Sequence, residues 1–530
     1  MTRIWLVPAV AALVLWTLFL PAVDPAANRL ILDLRPSAAL LLLLAGLALL
    51  VLRRRRLGSF WRWVLAVVLC AAAGLQLASM LVLSFLDRQL DLYFDLPQVP
   101  SLVGLFRDAV GPFRAAGALV LVVLGVVALL AAVAWAIAVC ERAVQRRHAG
   151  AAVLALAVVA LGLGAIARDA KHETLVAFAA PAAIADQAAR LYRAALVMSG
   201  RDHRYDAMLH GPVLHGDLGA LAGRDVFVVF VESYGTLVLD EPRYRDVVAP
   251  ALAEFAAATL RAGYGMRSSR LVSPVFGAGS WLAHGTLASG MKLDPFLDRL
   301  IVESDRKTLA QYLRASGHDT VAVMPGIKKP WPEAAFWGFE RSYFAKDLGY
   351  DGPGFGWFDI PDQYTLARFA AGELGPGHKP LFAEIVLVSS HTPFAPVPPY
   401  VADWNDAGPY KSVAEAEWRR IYRPPDWAHL DAPYLDSVVY DLQTLAGWLA
   451  RLDGNGLVII LGDHQPPGFA SGTTAPWTVP VQVLSRDPAL LAPFARAGYG
   501  EGALPPPSPQ IKGMESFLGE FLANFSTAGS

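Results

Sequence analysis

The sequence predicts an α-helical membrane domain with five spans, followed by an α/β domain with a mostly parallel central sheet. Hydrophobic residues make up 55% of the 530 residues and charged residues only 17%, which is too apolar for an ordinary soluble protein. The apolar excess is concentrated in the first third of the chain. From Asp225 onward, short β-branched runs alternate with longer amphipathic stretches, a pattern typical of parallel α/β structure.

Five apolar stretches are candidates for membrane spans, each of which needs about 20 residues. They lie near residues 4–23, 37–52, 60–86, 113–140 and 150–167. Arginines fill the turns at 53–56 and 142–147, so both turns are predicted to face the cytoplasm. Five crossings then put the chain after about residue 168 outside the cytoplasm. The alternative for the first stretch is a cleaved signal peptide, which leaves the remaining topology unchanged.

These patterns divide the chain into three predicted parts. They are a transmembrane domain over 1–167, a helical connector over 168–222 and an extracytoplasmic domain over 223–530. The net charge of -1 offers no broad basic surface, so no nucleic-acid partner is expected. The two cysteines, Cys70 and Cys140, both lie in apolar stretches. The extracytoplasmic domain therefore has no disulfide, no cysteine metal site and no thiol nucleophile.

Polar residues follow three of the four buried strands that we predict. Glu232 follows the first strand, His391 follows the third, and Asp463 and His464 follow the fourth. Because ligands bind beyond the carboxyl ends of the strands in open parallel sheets, we expect these side chains to converge. The predicted strands are 225–231, 319–324, 381–388 and 457–461.

Glu232, Asp463 and His464 offer two carboxylates and one imidazole. This donor set suits one divalent metal ion, either Zn²⁺ or Mn²⁺, with Mg²⁺ also possible. Only three strong ligands are present, so one position would stay open for a reacting oxygen. The alternative is that each residue is an isolated polar group at a strand end, making a cap or a surface pair.

Ser280 lies in the segment FGAGSWLAHG, residues 276–285. Gly277 and Gly279 permit a tight turn, and Ser280 is predicted to begin a helix, where free N–H groups favour a phosphate. A serine at this position beside a metal ion can act as a nucleophile. The alternative is a simple N-cap serine. His284, one turn later, either contacts the substrate or packs locally.

Three further residues are candidates for substrate binding. His391, in the segment SSHTPF, can bind a phosphate or protonate the leaving oxygen. Lys328 and Trp331 follow the second strand and can hold a phosphate and a glycerol or amine head group. The alternatives are a hydrogen-bonded loop histidine and a solvated lysine beside a packed tryptophan.

Four short segments occur in an order that resembles the alkaline phosphatase and sulfatase superfamily. They are VFVVFVESYG with Glu232, GAGS with Ser280, SSH with His391, and LGDH with Asp463 and His464. The sequence is most similar to the membrane branch, which includes lipoteichoic acid synthases and the phosphoglycerol and phosphoethanolamine transferases. The resemblance implies a multi-pass protein of the bacterial inner (cytoplasmic) membrane, with a sulfatase-like domain facing the periplasm or the cell exterior.

The resemblance also implies an activity and roles for these residues. Glu232, Ser280, Asp463 and His464 would bind one divalent ion, and Ser280 would be the nucleophile where lipoteichoic acid synthases use threonine. His391 would contact the substrate phosphate or head group. A phosphoglycerol group would pass from a membrane phospholipid donor, through a covalent phospho-Ser280 intermediate, to a glycan or lipid acceptor.

Two positions bear on the head group that is transferred. Trp331 falls near a head-group tryptophan of the lipoteichoic acid synthases, but Glu333 stands where that family has an arginine. This departure does not favour phosphoglycerol, so phosphoethanolamine is the alternative head group. Many phosphoethanolamine transferases carry several disulfides in the outer domain, and this chain has none there.

Two alternatives change the reaction class. A membrane-bound phosphodiesterase or sulfatase-type hydrolase would use water as the acceptor. The short sulfatase motif ends in arginine, and the residues from Trp281 to His284 include none, which disfavours sulfate esters. A non-catalytic membrane receptor of the same fold is the other alternative. A protein that binds no metal when Mn²⁺ or Zn²⁺ is supplied would favour it.

Overall fold

A computed structural model describes residues 2–24, 29–53, 55–145, 147–169, 176–404, 410, 426, 429–472, 475–507 and 511–527. Arg54 and Arg146 of the two predicted cytoplasmic turns lie outside the described residues, as does 170–175 of the predicted connector. The chain forms two compact units, Met1–Asp202 and His203–Ser530. The predicted three-part division stays a prediction.

The first unit is helical, with one short hairpin. Its helices pack around small and aliphatic residues such as Ala11, Leu47, Ala66 and Ile137, which are fully or almost fully buried. Strands β1 and β2 pair in antiparallel register. The elements are α1 (Thr2–Thr17), β1 (Pro21–Asp24), β2 (Arg29–Leu32), α2 (Ala38–Leu52), α3 (Ser59–Leu86), α4 (Leu92–Asp95), a 3₁₀ turn (Leu96–Gln98), α5 (Val99–Val110), α6 (Pro112–Val144), α7 (Arg147–Asp169) and α8 (Ala179–Met198).

Helices lie in all five stretches that we predicted to be membrane spans, but in the first stretch the helix ends at Thr17 and residues 21–23 belong to β1. Two of them, α3 and α6, are long and apolar enough to cross a membrane, judged by length and composition among the described residues. The outer surface of α6 is strongly apolar, with Leu121 71% exposed, as expected for a helix that contacts lipid. The apolar parts of α1, α2 and α7 are shorter, at Leu6–Thr17, Ala38–Leu52 and Ala149–Leu163. The five-span topology therefore stays a prediction.

The second unit is built on a nine-stranded sheet. The strand order is β10-β4-β9-β8-β3-β7-β5-β6, with β11 pairing to β4. Four strands match the sequence prediction, namely β3, β5, β7 and β8. The strands are β3 (Val226–Val231), β4 (Gly265–Val272), β5 (Asp319–Met324), β6 (Arg341–Phe344), β7 (Leu381–Leu387), β8 (Leu457–Gly462), β9 (Thr478–Ser485), β10 (Gly500–Glu501) and β11 (Lys512–Gly513).

The prediction of a mostly parallel sheet was wrong, because the sheet is mixed. Strands β8, β3, β7, β5 and β6 run parallel in one continuous block. On the other side of β8, strands β9, β4 and β10 pair in antiparallel register. The predicted strands all belong to the parallel block, and the sequence prediction did not include β4 or β9.

Helices cover both faces of this sheet and complete two apolar cores. Alternate residues of β3 enter different cores, with Phe227 and Val229 on one face and Val228 and Phe230 on the other, as the two-residue period of a strand requires. The helices are α9 (Asp206–Leu209), α10 (Leu237–Asp240), α11 (Pro242–Arg261), α12 (Ser280–Ser289), α13 (Pro295–Ile301), α14 (Leu309–Ala315), α15 (Ala334–Trp337), α16 (Asp362–Glu373), α17 (Asp431–Leu449), α18 (Gly468–Ser471), α19 (Pro488–Arg496) and α20 (Ser516–Phe525), with a 3₁₀ turn at Gly219–Leu221.

Candidate active site

Three neighbouring parallel strands end together at one edge of the sheet. Strand β3 lies between β7 and β8, and Val231 at its end is in register with Leu387 and Gly462. Glu232 and Asp463 are the residues that immediately follow β3 and β8. The sheet register alone therefore brings two carboxylates from distant parts of the sequence to the same edge.

Ser280 lies against this pair of strand ends. Its hydroxyl donates to Glu232 Oε2 at 3.1 Å and lies 3.2 Å from His464 Nε2. The ligand atoms of Glu232, Asp463 and His464 all lie within 4.8 Å of one another, and all three residues are buried. The structure thus brings together the four side chains that the sequence analysis grouped.

Backbone groups fix the orientation of Asp463. Its Oδ1 accepts hydrogen bonds from the backbone N–H groups of Ser233 at 2.8 Å and His464 at 2.6 Å. Its Oδ2 is buried and has no hydrogen-bond partner within the described part of the chain. A buried carboxylate oxygen without a partner is costly, and a bound cation would remove that cost.

The loop that carries Ser280 is tied to the Asp463 segment. Ser273 donates its hydroxyl to the Asp463 carbonyl at 2.6 Å, and the Gly277 N–H donates to the Gln465 carbonyl at 3.1 Å. Gly279, with φ of 91°, caps α12 in the left-handed region, where a side chain is strained. Ser280 is the first residue of α12, so its hydroxyl is set at a helix N-terminus beside the two acids.

The hydrogen bonds of His464 define which ring nitrogen faces the site. Nδ1 lies 2.7 Å from the Gln465 carbonyl oxygen, which can only accept, so Nδ1 carries the proton. The other ring nitrogen, Nε2, faces the site and lies 3.5 Å from Glu232 Oε1. A histidine held through one nitrogen by a carbonyl is the usual arrangement of a metal ligand.

The electrostatics of the cluster are those of a site that needs positive charge. Burial, followed by the negative charge of Asp463, raises the pKa of Glu232 well above its ordinary value. Two carboxylates, one imidazole nitrogen and one hydroxyl oxygen fit a divalent ion such as Zn²⁺ or Mn²⁺. On this donor set, and on the unpartnered Asp463 oxygen, the residues fit a metal ion.

His391 stands after β7 in an aromatic setting. Its ring lies 5.6 Å from that of Trp357 and 4.8 Å from that of Phe358, centroid to centroid. Nδ1 donates to the Thr392 carbonyl at 2.6 Å. Burial lowers the pKa of His391 to about 4, and the neighbouring His464 contributes to this lowering, so the ring is neutral near neutral pH.

The other predicted substrate-binding residues fall in two places. His284 stacks on Phe230 with 3.9 Å between ring centroids, and its Nδ1 lies 3.4 Å from Glu384 Oε1. His284 and Trp331 both line a cavity of about 380 Å³. Lys328 instead forms an ion pair with Asp359 at 3.0 Å, in which both side chains are more than half exposed.

Acidic residues of this cavity were not among the sequence candidates. Glu384 lies in the middle of β7, and Asp298 lies on α13, and both line the cavity together with Glu333. Glu384 did leave a signal, because it is a single charge inside the apolar run LFAEIVLV. Asp298 left none, since an acid on a short amphipathic helix is ordinary.

No protein-family model matches the chain, and no curated protein matches it. Among solved structures, the chain is similar to a protein of the alkaline phosphatase superfamily from Vibrio parahaemolyticus, with 16% identity and a TM-score of 0.35. That match covers 52% of this chain and 63% of the Vibrio chain, which is less than two thirds of its length. The Vibrio structure carries the name of the superfamily that the order of the sequence motifs resembles.

Two transferase structures are also similar to the chain. The first is the integral membrane protein lipooligosaccharide phosphoethanolamine transferase A from Neisseria meningitidis, with 12% identity and a TM-score of 0.45, covering 92% of this chain and 96% of that one. The second is a phosphoglycerol transferase from Streptococcus pyogenes in complex with sn-glycerol-1-phosphate, with 13% identity and a TM-score of 0.34, covering 62% of this chain and 91% of that one.

Proposed function

We propose that this chain is a metal-dependent phosphotransferase that moves a phospholipid head group through a covalent intermediate on Ser280. The observation that carries the proposal is the contact of the Ser280 hydroxyl with Glu232 at 3.1 Å and with His464 at 3.2 Å. A serine hydroxyl at a helix N-terminus, beside two acids and an imidazole, is suited to attack phosphorus. A simple N-cap serine would need none of these partners.

The proposed metal ligands are Glu232, Asp463, His464 and Ser280. When bound, a divalent cation supplies positive charge that favours loss of the Ser280 proton and neutralises the phosphoryl oxygens. The free N–H groups at the start of α12 add a favourable field for the phosphate. His464 is held by the Gln465 carbonyl, so its Nε2 stays directed at Ser280 without reorganisation.

The proposed reaction has two balanced steps. In the first step, the Ser280 oxygen forms a bond to phosphorus and the bond from phosphorus to the diacylglycerol oxygen breaks. Ser280 loses one proton, and the leaving diacylglycerol oxygen gains one. In the second, an acceptor hydroxyl attacks phosphorus and loses its proton, while the bond to Ser280 breaks and the serine is protonated again. The acceptor is a glycan or lipid for a transferase, and water for a hydrolase.

His391 is the proposed proton donor to the leaving oxygen. Its neutral ring has Nδ1 occupied by the Thr392 carbonyl, and Nε2 has no hydrogen-bond partner in the described ranges. An anionic phosphate beside the ring favours the protonated form. Substrate binding would therefore charge this histidine at the point where the leaving oxygen needs a proton.

Location at a membrane is part of the same proposal. Helices α3 and α6 would anchor the chain in a bacterial inner membrane, with the second unit on the periplasmic or exterior side. Anchoring would raise the concentration of phospholipid that the site meets. The proposed partners are a membrane phospholipid donor and a glycan or lipid acceptor.

The test uses the full-length protein with vesicles of labelled phospholipid and added Mn²⁺ or Zn²⁺. Wild-type protein should release labelled diacylglycerol, and Ser280→Ala should lower that rate by about 10³-fold or more. Ser280→Thr keeps a hydroxyl and should keep part of the rate, and Ser316→Ala is a control outside the site. Mass analysis should find a head-group phosphate on Ser280. An unchanged rate in Ser280→Ala would contradict the mechanism. A protein that binds no metal would favour the alternative of a non-catalytic membrane receptor.

A further inference from the structure

The cavity of about 380 Å³ begins beside the nucleophile. Trp281, which follows Ser280 directly, lines it, and so do His284, Gly285 and Ala288 farther along α12. At about 1.5 Å rise per residue, these positions lie within roughly 12 Å of Ser280 along the helix axis. A group attached to a phosphate at Ser280 can therefore reach this space.

Tryptophans form much of the cavity wall. Trp281, Trp331 and Trp337 all line it, together with Phe339, whose ring centroid lies 6.4 Å from that of Trp331. Trp281 is 56% exposed, which is unusual for so large an apolar side chain next to a buried site. The faces of aromatic rings attract organic cations, and tryptophan does so most strongly.

The charges that line the cavity are mainly negative. The lining includes three acids, Asp298, Glu333 and Glu384, and one strong base, Arg299. Glu384 is only 5% exposed, and its carboxylate makes no hydrogen bond within the described part of the chain. His284 Nδ1 lies 3.4 Å from its Oε1. A buried carboxylate with so little compensation favours a cationic ligand.

Asp298 and Glu333 act on one another across the cavity wall. Burial, followed by the charge of Glu333, raises the pKa of Asp298 to about 6. Neither carboxylate accepts a hydrogen bond from any residue that the structure describes. Their mutual repulsion is not relieved by such a bond, whereas a positively charged group between them would relieve it.

We propose that this cavity binds an organic ammonium group carried by a substrate of Ser280. The inference rests on the proposed function, and it names the chemical class that the site accepts. An uncharged glycerol can donate hydrogen bonds to these carboxylates but leaves their negative charge uncompensated, and a second anionic group would be repelled by them. The ammonium can belong to the donor head group, as in ethanolamine or choline lipids, or to an amine-bearing acceptor.

The first experiment measures binding and needs no catalysis. Full-length protein is titrated with tetramethylammonium or ethylammonium chloride, with sodium chloride as the control for ionic strength, while tryptophan fluorescence is followed. Wild type and Ser280→Ala should both show saturable quenching. The double variant of Asp298→Asn and Glu333→Gln should weaken it about tenfold or more, and Glu303→Gln, an exposed acid after α13, should not. If wild type and the double variant were quenched at the same ammonium concentrations, the proposal would be overturned.

The second experiment locates the ammonium group. Diacylglycerol release is compared for vesicles of phosphatidylethanolamine, phosphatidylcholine and phosphatidylglycerol, and transfer is compared with ethanolamine and ethylene glycol as soluble acceptors. A donor site predicts that the double variant raises KM about tenfold for the two ammonium lipids alone. An acceptor site predicts the same change for ethanolamine alone. If Ser280→Ala keeps full activity but quenching persists, the proposed function fails while the cation site stands.

Discussion

At the scale of single residues, Glu232 and Asp463 define the chemistry of the site. They are acids that the fold buries side by side, and Asp463 Oδ2 has no hydrogen-bond partner among the described residues. Without a cation, ionising Glu232 is costly, because burial and the charge of Asp463 both raise its pKa. The fold therefore maintains an arrangement in which both carboxylates can be ionised at low cost only when positive charge compensates them.

This arrangement predicts how metal changes stability with pH. Because the folded-state pKa of Glu232 is raised, its ionisation destabilises the metal-free protein as pH rises above the ordinary range of a glutamate. A metal ion binds the ionised ligands, so saturating Mn²⁺ or Zn²⁺ should raise Tm more at pH 8 than at pH 5. Circular dichroism of full-length protein with and without a chelator measures this. Glu232→Gln should abolish most of the metal effect, and equal Tm shifts at both pH values would contradict the assignment.

The proposed cation site has a pH dependence of its own. Asp298 has its pKa raised to about 6 by burial and by Glu333, while Arg299 opposes this shift and Asp294 adds to it. Asp298 is thus charged above about pH 6 and neutral below it, so binding of tetramethylammonium should weaken as pH falls from 7 to 5. The imidazole of His284, which lies beside Glu384, also faces this space.

The variant Asp298→Asn separates the contribution of Asp298 to this pH dependence from that of His284. The variant should bind tetramethylammonium weakly at pH 7 and should lose most of the change between pH 7 and pH 5, whereas Glu303→Gln should behave as wild type. Fluorescence titration at constant ionic strength gives the comparison. A wild-type pH profile in Asp298→Asn would show that another group controls binding.

At the scale of elements, the end of β8 is held by a close backbone contact. A Cβ atom on Gly462 would lie 1.9 Å from the Tyr234 carbonyl oxygen, which belongs to the backbone and cannot rotate away. Gly462→Ala must therefore displace the strand end that carries Asp463. We expect it to lower stability by about 1–3 kcal/mol and to impair metal binding.

Gly372→Ala is the matched control for Gly462→Ala. Gly372 is the penultimate residue of α16, and a Cβ atom at this position would meet only the Tyr343 hydroxyl, at 3.8 Å, which is an ordinary contact. Alanine stabilises a helix by up to about 0.5–1 kcal/mol relative to glycine. Thermal unfolding followed by tryptophan fluorescence should separate the two variants in opposite directions. Equal, small effects would mean that the β8 end tolerates displacement.

The strands that sequence analysis found and missed differ for physical reasons. Strands β3, β5, β7 and β8 are buried on both faces, so each is a nearly continuous apolar run that stands out in the sequence. Strand β9 carries Pro480, which argues against an interior strand, and β4 has the polar run from Arg267 to Arg270. Strand β9 runs antiparallel to both of its neighbours, β4 and β8, which is why the sheet is mixed.

The same contrast explains what could be predicted of the site. Glu232, Asp463 and His464 follow apolar strands, so the parallel topology brings them together without knowledge of the loops. Ser280 needed its flanking glycines and the resemblance to a family, since a helix-start serine is common. The acids of the cavity come from a helix, a loop and a strand interior. Their convergence depends on loop paths, which no local pattern encodes.

At the scale of the whole molecule, the two units have separate requirements for stability. Both apolar cores of the sheet lie entirely within His203–Ser530, between Leu218 and Phe525. The free cysteines, Cys70 and Cys140, lie in the first unit, on α3 and α6. The second unit thus contains its own cores and all four proposed metal ligands, and it needs no disulfide.

We therefore predict that a fragment spanning His203–Ser530 folds and binds metal, yet acts poorly on membranes. Its rate on a soluble phosphodiester should stay within about threefold of full-length protein, because Ser280 and its partners are all present. Its rate on dilute phospholipid vesicles should fall by about 10²-fold or more, because anchoring no longer concentrates the lipid near the site. Adding an unrelated single-span membrane anchor should restore much of that rate. Full vesicle activity in the unanchored fragment would show that the first unit serves some purpose other than tethering.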